Sequence, residues 1–286
     1  MKPTLNRYVT LAAGLFILSG AISSCKKETV TNPVTKMSMV KTGQEKAQMT
    51  TITYKSVNIL YGIFTGNLDS YKTESANSIL SCAVVVHDTT EIPYKVSADF
   101  GSGCTLEDGS VVTGKITATY NNKKFTEPGS HATANLDSFY VNGDKIVGTV
   151  DIINNGMNGN NNLVFGIVIT GGKLVYGSDG RFIKQDVHWE LEFMRNDPET
   201  SDDDVLSVTG NSNGVTSDNF AYNEAITIPL TASRHPLCVR EFVKGTTLIQ
   251  ISGQSDITLD YGDGTCDEFA TVTQEGISET ITLKKY

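Results

Sequence analysis

His131–Ile153, HATANLDSFYVNGDKIVGTVDII, sets two β-prone segments on either side of Asn142-Gly143. Asn-Gly supplies two neighbouring residues that tolerate positive φ, as a two-residue hairpin turn requires. The flanks, His131–Val141 and Lys145–Ile153, hold valine, isoleucine, threonine and aromatic residues that suit a pleated surface. The stretch therefore predicts a β-hairpin.

The same pattern repeats outward. Upstream, Ile79–His87 reads as an apolar strand of the buried type, followed by strands at Pro93–Phe100 and Val111–Tyr120. Downstream, the Asn/Gly-rich Asn154–Asn162 reads as a loop, and Gly171-Gly172 as a hairpin turn between Leu163–Thr170 and Lys173–Tyr176. Val187–Phe193 alternates apolar and polar residues, the mark of a strand with one buried face. An acidic loop at Asp197–Asp204 precedes strands near Ala225–Leu230, Val239–Val243, Thr247–Ser252, Asp256–Tyr261, Ala270–Gln274 and Ser278–Leu283. Short connections favour antiparallel neighbours in chain order. Before all of these, Val57, Leu60, Phe64, Leu68 and Tyr71 recur at steps of three and four, one face of a helix.

The expected fold is mainly β: a large curved antiparallel sheet or open barrel of about a dozen strands, with the N-terminal helix on its concave apolar face. The alternative is two β-sandwich domains divided near Asp197–Asp204. The chain divides into a signal peptide at 1–24, a polar flexible tether at 25–41, a helical segment at 42–75 and the β domain at 76–286.

The N-terminus carries Lys2 and Arg7, an apolar run from Val9 to Ile22, and then Ser23-Ser24-Cys25. That order of charge, apolar core and small residues is a secretory signal, too short in its apolar part to span a bilayer. Ile22-Ser23-Ser24-Cys25 resembles the lipobox of bacterial lipoproteins, whose cysteine receives a diacylglyceryl group and becomes the first mature residue. The membrane partner is then the lipid on Cys25. Cleavage would remove Lys2 and Arg7 and take the net charge from −9 to −11. An acidic domain gains nothing from a phosphate backbone, so nucleic acid is not an expected partner.

Four further cysteines, Cys82, Cys104, Cys238 and Cys266, suggest two disulfides in an exported chain, with three connectivities open. Asp99-Phe100-Gly101-Ser102-Gly103-Cys104 echoes Asp260-Tyr261-Gly262-Asp263-Gly264-Thr265-Cys266. If both are copies of one unit, the pairing is Cys82–Cys104 and Cys238–Cys266.

The segments ADFGSGCTLEDGSVVTGKITATY, SFYVNGDKIVGTV and DITLDYGDGTCDEFATVTQEG resemble a family of uncharacterised lipoproteins of the Bacteroidetes phylum. The resemblance runs from about Cys82 to the C-terminus and implies an outer-membrane or cell-surface location without implying an activity. Lys26-Lys27-Glu28 is similar to the charged tags that export such lipoproteins to the surface, though it has a single acid. Asp260-Tyr261-Gly262-Asp263-Gly264 is also similar to the signature of PKD-type repeats, but the downstream His-Thr-Tyr strand of those repeats is missing.

Candidate chemistry is sparse. Gly210-Asn211-Ser212-Asn213-Gly214 matches a nucleophile elbow, but its flanks read as polar loop with no helix following. Asp186, His188, Glu190 and Glu192 share a strand face. Their spacing of roughly 6.5–7 Å is too wide for neighbours to ligate one metal unaided. Asp260, Asp263 and Asp267, or Asp202-Asp203-Asp204, offer oxygens for Ca²⁺ without an EF-hand loop, and turn aspartates commonly bond their own backbone. His87, His131, His188 and His235 are scattered, and no glycine-rich phosphate cradle is present. No cofactor is implied. The expected function is non-enzymatic: a lipid-anchored surface or outer-membrane protein that binds or scaffolds an unknown ligand or envelope protein. The alternatives are a structural or adhesive component and an enzyme whose site only the fold assembles. Trp189, the single tryptophan, should face the core; if exposed, it would be a platform for a sugar ring or a partner protein.

Overall fold

The computed structural model describes residues 33–65, 82–106, 109–194, 205–233 and 242–283. The signal peptide, Cys25, Cys238, His235 and Asp202-Asp203-Asp204 lie outside the described residues. Among the described residues one helix, α1 (Pro33–Thr65), precedes thirteen strands. These are β1 (Val84–Asp88), β2 (Tyr94–Thr105), β3 (Val111–Tyr120), β4 (His131–Val141), β5 (Asp144–Met157), β6 (Leu163–Val175) and β7 (Phe182–Met194). There follow β8 (Val205–Val215), β9 (Ala221–Ser233), β10 (Phe242–Ile251), β11 (Ile257–Asp263), β12 (Phe269–Gln274) and β13 (Ile277–Thr282).

All thirteen belong to one sheet in chain order, each antiparallel to the next. The sheet is not closed, because β1 and β13 do not pair with each other. The curved-sheet reading therefore holds, and the two-sandwich alternative does not: β7 and β8, either side of the proposed boundary, pair from Lys184↔Val215 to Met194↔Val205. The Asn142-Gly143 hairpin stands as expected, with φ of 51° and 84° and Val141 opposite Asp144.

α1 touches β2 near one edge of the sheet, β7 at its middle, and β11, β12 and β13 at the other edge. One helix reaches both edges only if the sheet curls around it. From Thr42 to Ile63 only Gln44 is exposed. The one-sided helix expected from Val57, Leu60 and Phe64 is thus buried on every side, and Leu68 and Tyr71 lie outside the described residues. α1 also starts at Pro33, inside the segment read as tether. Proline suits a first helical turn because its missing N–H would have no partner there. Each fully buried Ile or Leu of the helix, such as Ile52, Ile59, Leu60 and Ile63, adds roughly 1.5–3 kcal/mol. Gly43 permits close contact, since a Cβ there would meet Val272 of β12 at 2.3 Å.

Several loop readings yield to longer strands. β5 continues through Asn154 to Met157, and β6 runs unbroken past Gly171-Gly172, where the register to β7 shifts between Ile169 and Gly172. That pair is a bulge, not a turn. β10 likewise joins Phe242-Val243, the described end of one predicted piece, to Thr247–Ile251 of the next, with a bulge at Gly245. β8 was hidden in a run read as polar loop; its Gly210 takes φ 127°, and a Cβ there would stand 2.1 Å from the His188 carbonyl. Bulges of this kind bend and twist strands, the local means of curling the sheet. Conversely, the described part of Ile79–His87 is not a buried strand: β1 is a short edge, with Val84 67% and Val86 56% exposed.

Cys82–Cys104 is a disulfide that ties the approach to β1 onto β2, with Cα atoms 5.5 Å apart. Cys266 is also disulfide-bonded. The Cys82–Cys104 loop separates its ends by 22 residues. Replacing both cysteines by serine should cost about 2–4 kcal/mol in denaturant unfolding, and non-reducing peptide mapping should recover the linked peptides. Trp189 is 6% exposed and part of the core, which removes it as a surface platform. Trp189→Ala should cost about 3–5 kcal/mol, while Glu190→Ala on the exposed face should stay within about 0.5 kcal/mol. Trp189 emission should be blue-shifted in the native protein and red-shifted on unfolding.

Candidate functional site

The alternation that turns apolar residues inward also brings a set of polar ones to the inner face of β7, β8 and β9. Ser212 of β8 and Glu224 of β9 are direct register partners, and Ser212 Oγ donates to Glu224 Oε2 at 2.7 Å. Gln185 of β7, Gly214 of β8 and Tyr222 of β9 form the neighbouring row. Gly214 matters here because a Cβ at that position would stand 2.9 Å from the Tyr222 hydroxyl. Without that Cβ, the phenol reaches across β8 to 3.1 Å from Gln185 Oε1, and it also lies 3.1 Å from the Lys184 carbonyl.

α1 places Lys46 in the middle of this set, with no solvent exposure. Its Nζ donates to Gln185 Oε1 at 2.7 Å, pairs with Glu224 Oε2 at 2.9 Å and sits 4.0 Å from the centre of the Tyr222 ring. Burial pulls the Lys46 pKa down, but the Glu224 carboxylate and Tyr222 outweigh it and hold the ammonium above its ordinary range. Burial raises Tyr222 against the opposing pull of Lys46, so the phenol keeps its proton. Two atoms of the set, Gln185 Nε2 and Glu224 Oε1, are buried without a hydrogen-bond partner among the described residues. Amine, primary amide, carboxylate and phenol thus converge in a site shielded from water.

The two poles of the curled sheet differ. Where α1 enters, Glu45 accepts from the Ser217 hydroxyl and from its backbone N–H, and lies 3.7 Å from Arg181. Lys41 pairs there with Asp218, and Tyr176 donates to Gln48 at 2.8 Å. Burial, with the negative charge of Glu45 next, pushes the Tyr176 phenol well above its usual range. At the other pole, Tyr61 and Phe64 meet Phe125, Phe165, Phe193 and Tyr120 at ring-centre distances of 5.3 to 6.1 Å. On the outer face, Asn213, Asn223 and Gln250 stand side by side across β8, β9 and β10 and line an open depression of about 530 Å³.

The groups singled out by sequence have structural duties. Ser212 lies within a strand and bonds Glu224, so no nucleophile elbow forms. Asp186 accepts from the Gly171 N–H and secures the β6 bulge, while Glu192 accepts from Asn158 and Asn162 across the β5–β6 turn. His188 and Glu190 are exposed. Asp260, Asp263 and Asp267 accept from the backbone N–H two residues on, and Thr265 holds the Asp263 carboxyl below its usual range. Asp99 makes the same bond to Gly101 that Asp260 makes to Gly262, and both following rings, Phe100 and Tyr261, are buried; the sequence echo is one local device used twice. His87 contacts Tyr120, and His131 contacts Asp151 at 3.1 Å. Among the described residues no three His, Cys, Asp or Glu side chains could hold a metal together.

Lys46 and Glu224 escape sequence reasoning because each is an ordinary charged residue 178 positions from the other. The chain matches no family model, no curated protein and no solved structure. Removing one partner of a buried ion pair leaves the other charge uncompensated. Lys46→Met should therefore cost about 3–5 kcal/mol, and the double variant Lys46→Met/Glu224→Leu should recover part of that loss. Denaturant unfolding of the four-member mutant cycle measures both quantities.

Proposed function

We propose that this chain is a lipid-anchored protein of the bacterial cell envelope, on the outer membrane or at the cell surface, with a non-enzymatic binding or scaffold role. The observation that carries the binding reading is α1 itself. It fills the inside of the curled sheet, so the space where many barrels hold a ligand belongs to the chain's own helix. Contacts with a ligand or envelope partner then fall to the outside and the poles. The Asn213, Asn223 and Gln250 row suits a polar, hydroxyl-rich ligand, because each amide offers both donors and an acceptor.

The lipid assignment rests on Ile22-Ser23-Ser24-Cys25 after an export signal, and it limits how far the fold can stand from the membrane. Pro33 follows Cys25 by eight positions, a reach of at most about 30 Å even when fully extended. A further eight helical residues to Lys41 add about 12 Å. The Ser217 and Arg181 pole is then held within about 40 Å of the bilayer.

Cys25→Ser expressed in the native envelope should remain unlipidated and leave the detergent phase on Triton X-114 partitioning. A wild-type mature N-terminus at any residue other than Cys25 would overturn the assignment. Surface exposure is read separately, by protease treatment of intact cells.

A further inference from the structure

The Lys46, Gln185 and Glu224 set is more than a buried ion pair with a spectator amide. An amine, an amide carbonyl and a carboxylate lie within hydrogen-bond distance in a site closed to water, and a phenol hydroxyl stands at the carbonyl oxygen. We propose that Lys46 and Gln185 become joined by an intramolecular isopeptide bond, with Glu224 as the proton carrier and Tyr222 as the group that holds the carbonyl oxygen.

The geometry meets the requirements of that reaction. Nζ is 2.7 Å from Gln185 Oε1, and a C=O bond of about 1.2 Å puts Cδ no more than about 4 Å from the amine. That is one small side-chain rotation from an attack distance of about 3–3.5 Å. Glu224 Oε2 touches the same nitrogen at 2.9 Å, where a general base must be. The Tyr222 hydroxyl lies 3.1 Å from Oε1; there it stabilises the negative charge that gathers on the oxygen as the carbon becomes tetrahedral. The leaving group is equally placed: Gln185 Nε2 gives up no protein hydrogen bond on departure, and the second oxygen of Glu224 is unengaged. Burial by itself favours the neutral amine, but Glu224 and Tyr222 outweigh it and hold the ammonium, so Glu224 must take a proton before Nζ can act as the nucleophile.

The chemistry balances without any outside reagent. Glu224 takes a proton from the Lys46 ammonium, and the free amine forms the Nζ–Cδ bond. Through Glu224 a second amine proton passes to Nε2, the Cδ–Nε2 bond breaks, and ammonia departs as the carbonyl re-forms. The first proton remains on Glu224, so the product leaves no uncompensated charge in the core. The result ties α1 covalently to β7, the middle strand of the sheet.

Tandem mass spectrometry of reduced, alkylated and trypsin-digested full-length protein, purified from the envelope, tests this directly. The expected species is Thr42–Lys55 joined to Gln185–Arg195, lighter than the two together by one ammonia, missing cleavage at Lys46 and fragmenting into both series. Separate peptides, cleaved after Lys46, would overturn the proposal; an ammonia loss confined to Gln185–Arg195 alone is terminal glutamine cyclisation and counts as unlinked. Glu224→Gln keeps both reacting groups and removes the base. It should yield the separate peptides while retaining native Trp189 emission, and full joining in that variant would overturn the role given to Glu224. The wild-type result stands even if the variant does not fold.

Discussion

A sheet of thirteen strands in simple chain order has an inward row of side chains on every strand, and those rows must be covered by something. α1 is what covers them. A helix with its side chains is about 10–12 Å across, close to the spacing at which a sheet packs against a facing layer. The sheet curls until both of its edge regions rest on the same helix, and the glycine bulges at Gly210 and Gly245 supply the bends that allow it. The helix in turn depends on the sheet. Thr42, Thr50, Thr51, Thr53 and Ser56 would be poor choices in an isolated helix, and tertiary burial, not helix propensity, holds them in place. Neither layer has a stable surface without the other.

This mutual dependence explains why charge appears at the centre. A helix enclosed on every side has no outward face for its lysines, so Lys46 and Lys55 must find partners inside. Lys55 donates to Ser110 of the β2–β3 connection, and Lys46 to the Gln185 and Glu224 pair. A buried ion pair rarely adds net stability over an apolar replacement, because desolvation offsets the attraction. What it adds is a penalty for misplacement. Sliding α1 by one residue would move Lys46 away from Glu224 and leave two charges in an apolar interior. The polar set therefore fixes the rotation and axial position of the helix, which apolar contacts alone would allow to slip.

How much of this is legible in the sequence follows from the same physics. Hairpins marked by local turn chemistry, such as Asn142-Gly143, can be read directly, because positive φ at two adjacent residues is a local demand. The alternation at Val187–Phe193 likewise gives the inward side of Trp189, since one strand's pattern depends only on its own two faces. Gly171-Gly172 and Gly210 mislead because a bulge and a turn use the same residue; which one forms depends on whether a neighbouring strand continues past it. The helix misleads in a different way. Its apolar spacing suggests one buried face, and only a sheet that curls around it makes Lys46, Thr50 and Lys55 interior. The Lys46 and Glu224 pairing is a product of that closure, and no local signal announces it.

The position of Lys46 gains meaning from the way the chain is held. If Cys25 anchors the protein, force between the cell surface and a bound partner enters the described part of the domain through α1, its first element. Along its own axis α1 is held partly by apolar packing such as Gly43 on Val272 of β12, and such packing is weakly directional. Load applied at the N-terminus would pull Lys46 past Gln185 and Glu224, on the strand at the middle of the sheet and its close neighbour. Resistance at that point spreads to strands on both sides through continuous antiparallel pairing, whereas resistance at an edge would peel off one strand at a time. The central placement of the polar set is thus where a load entering through α1 is best shared across the sheet.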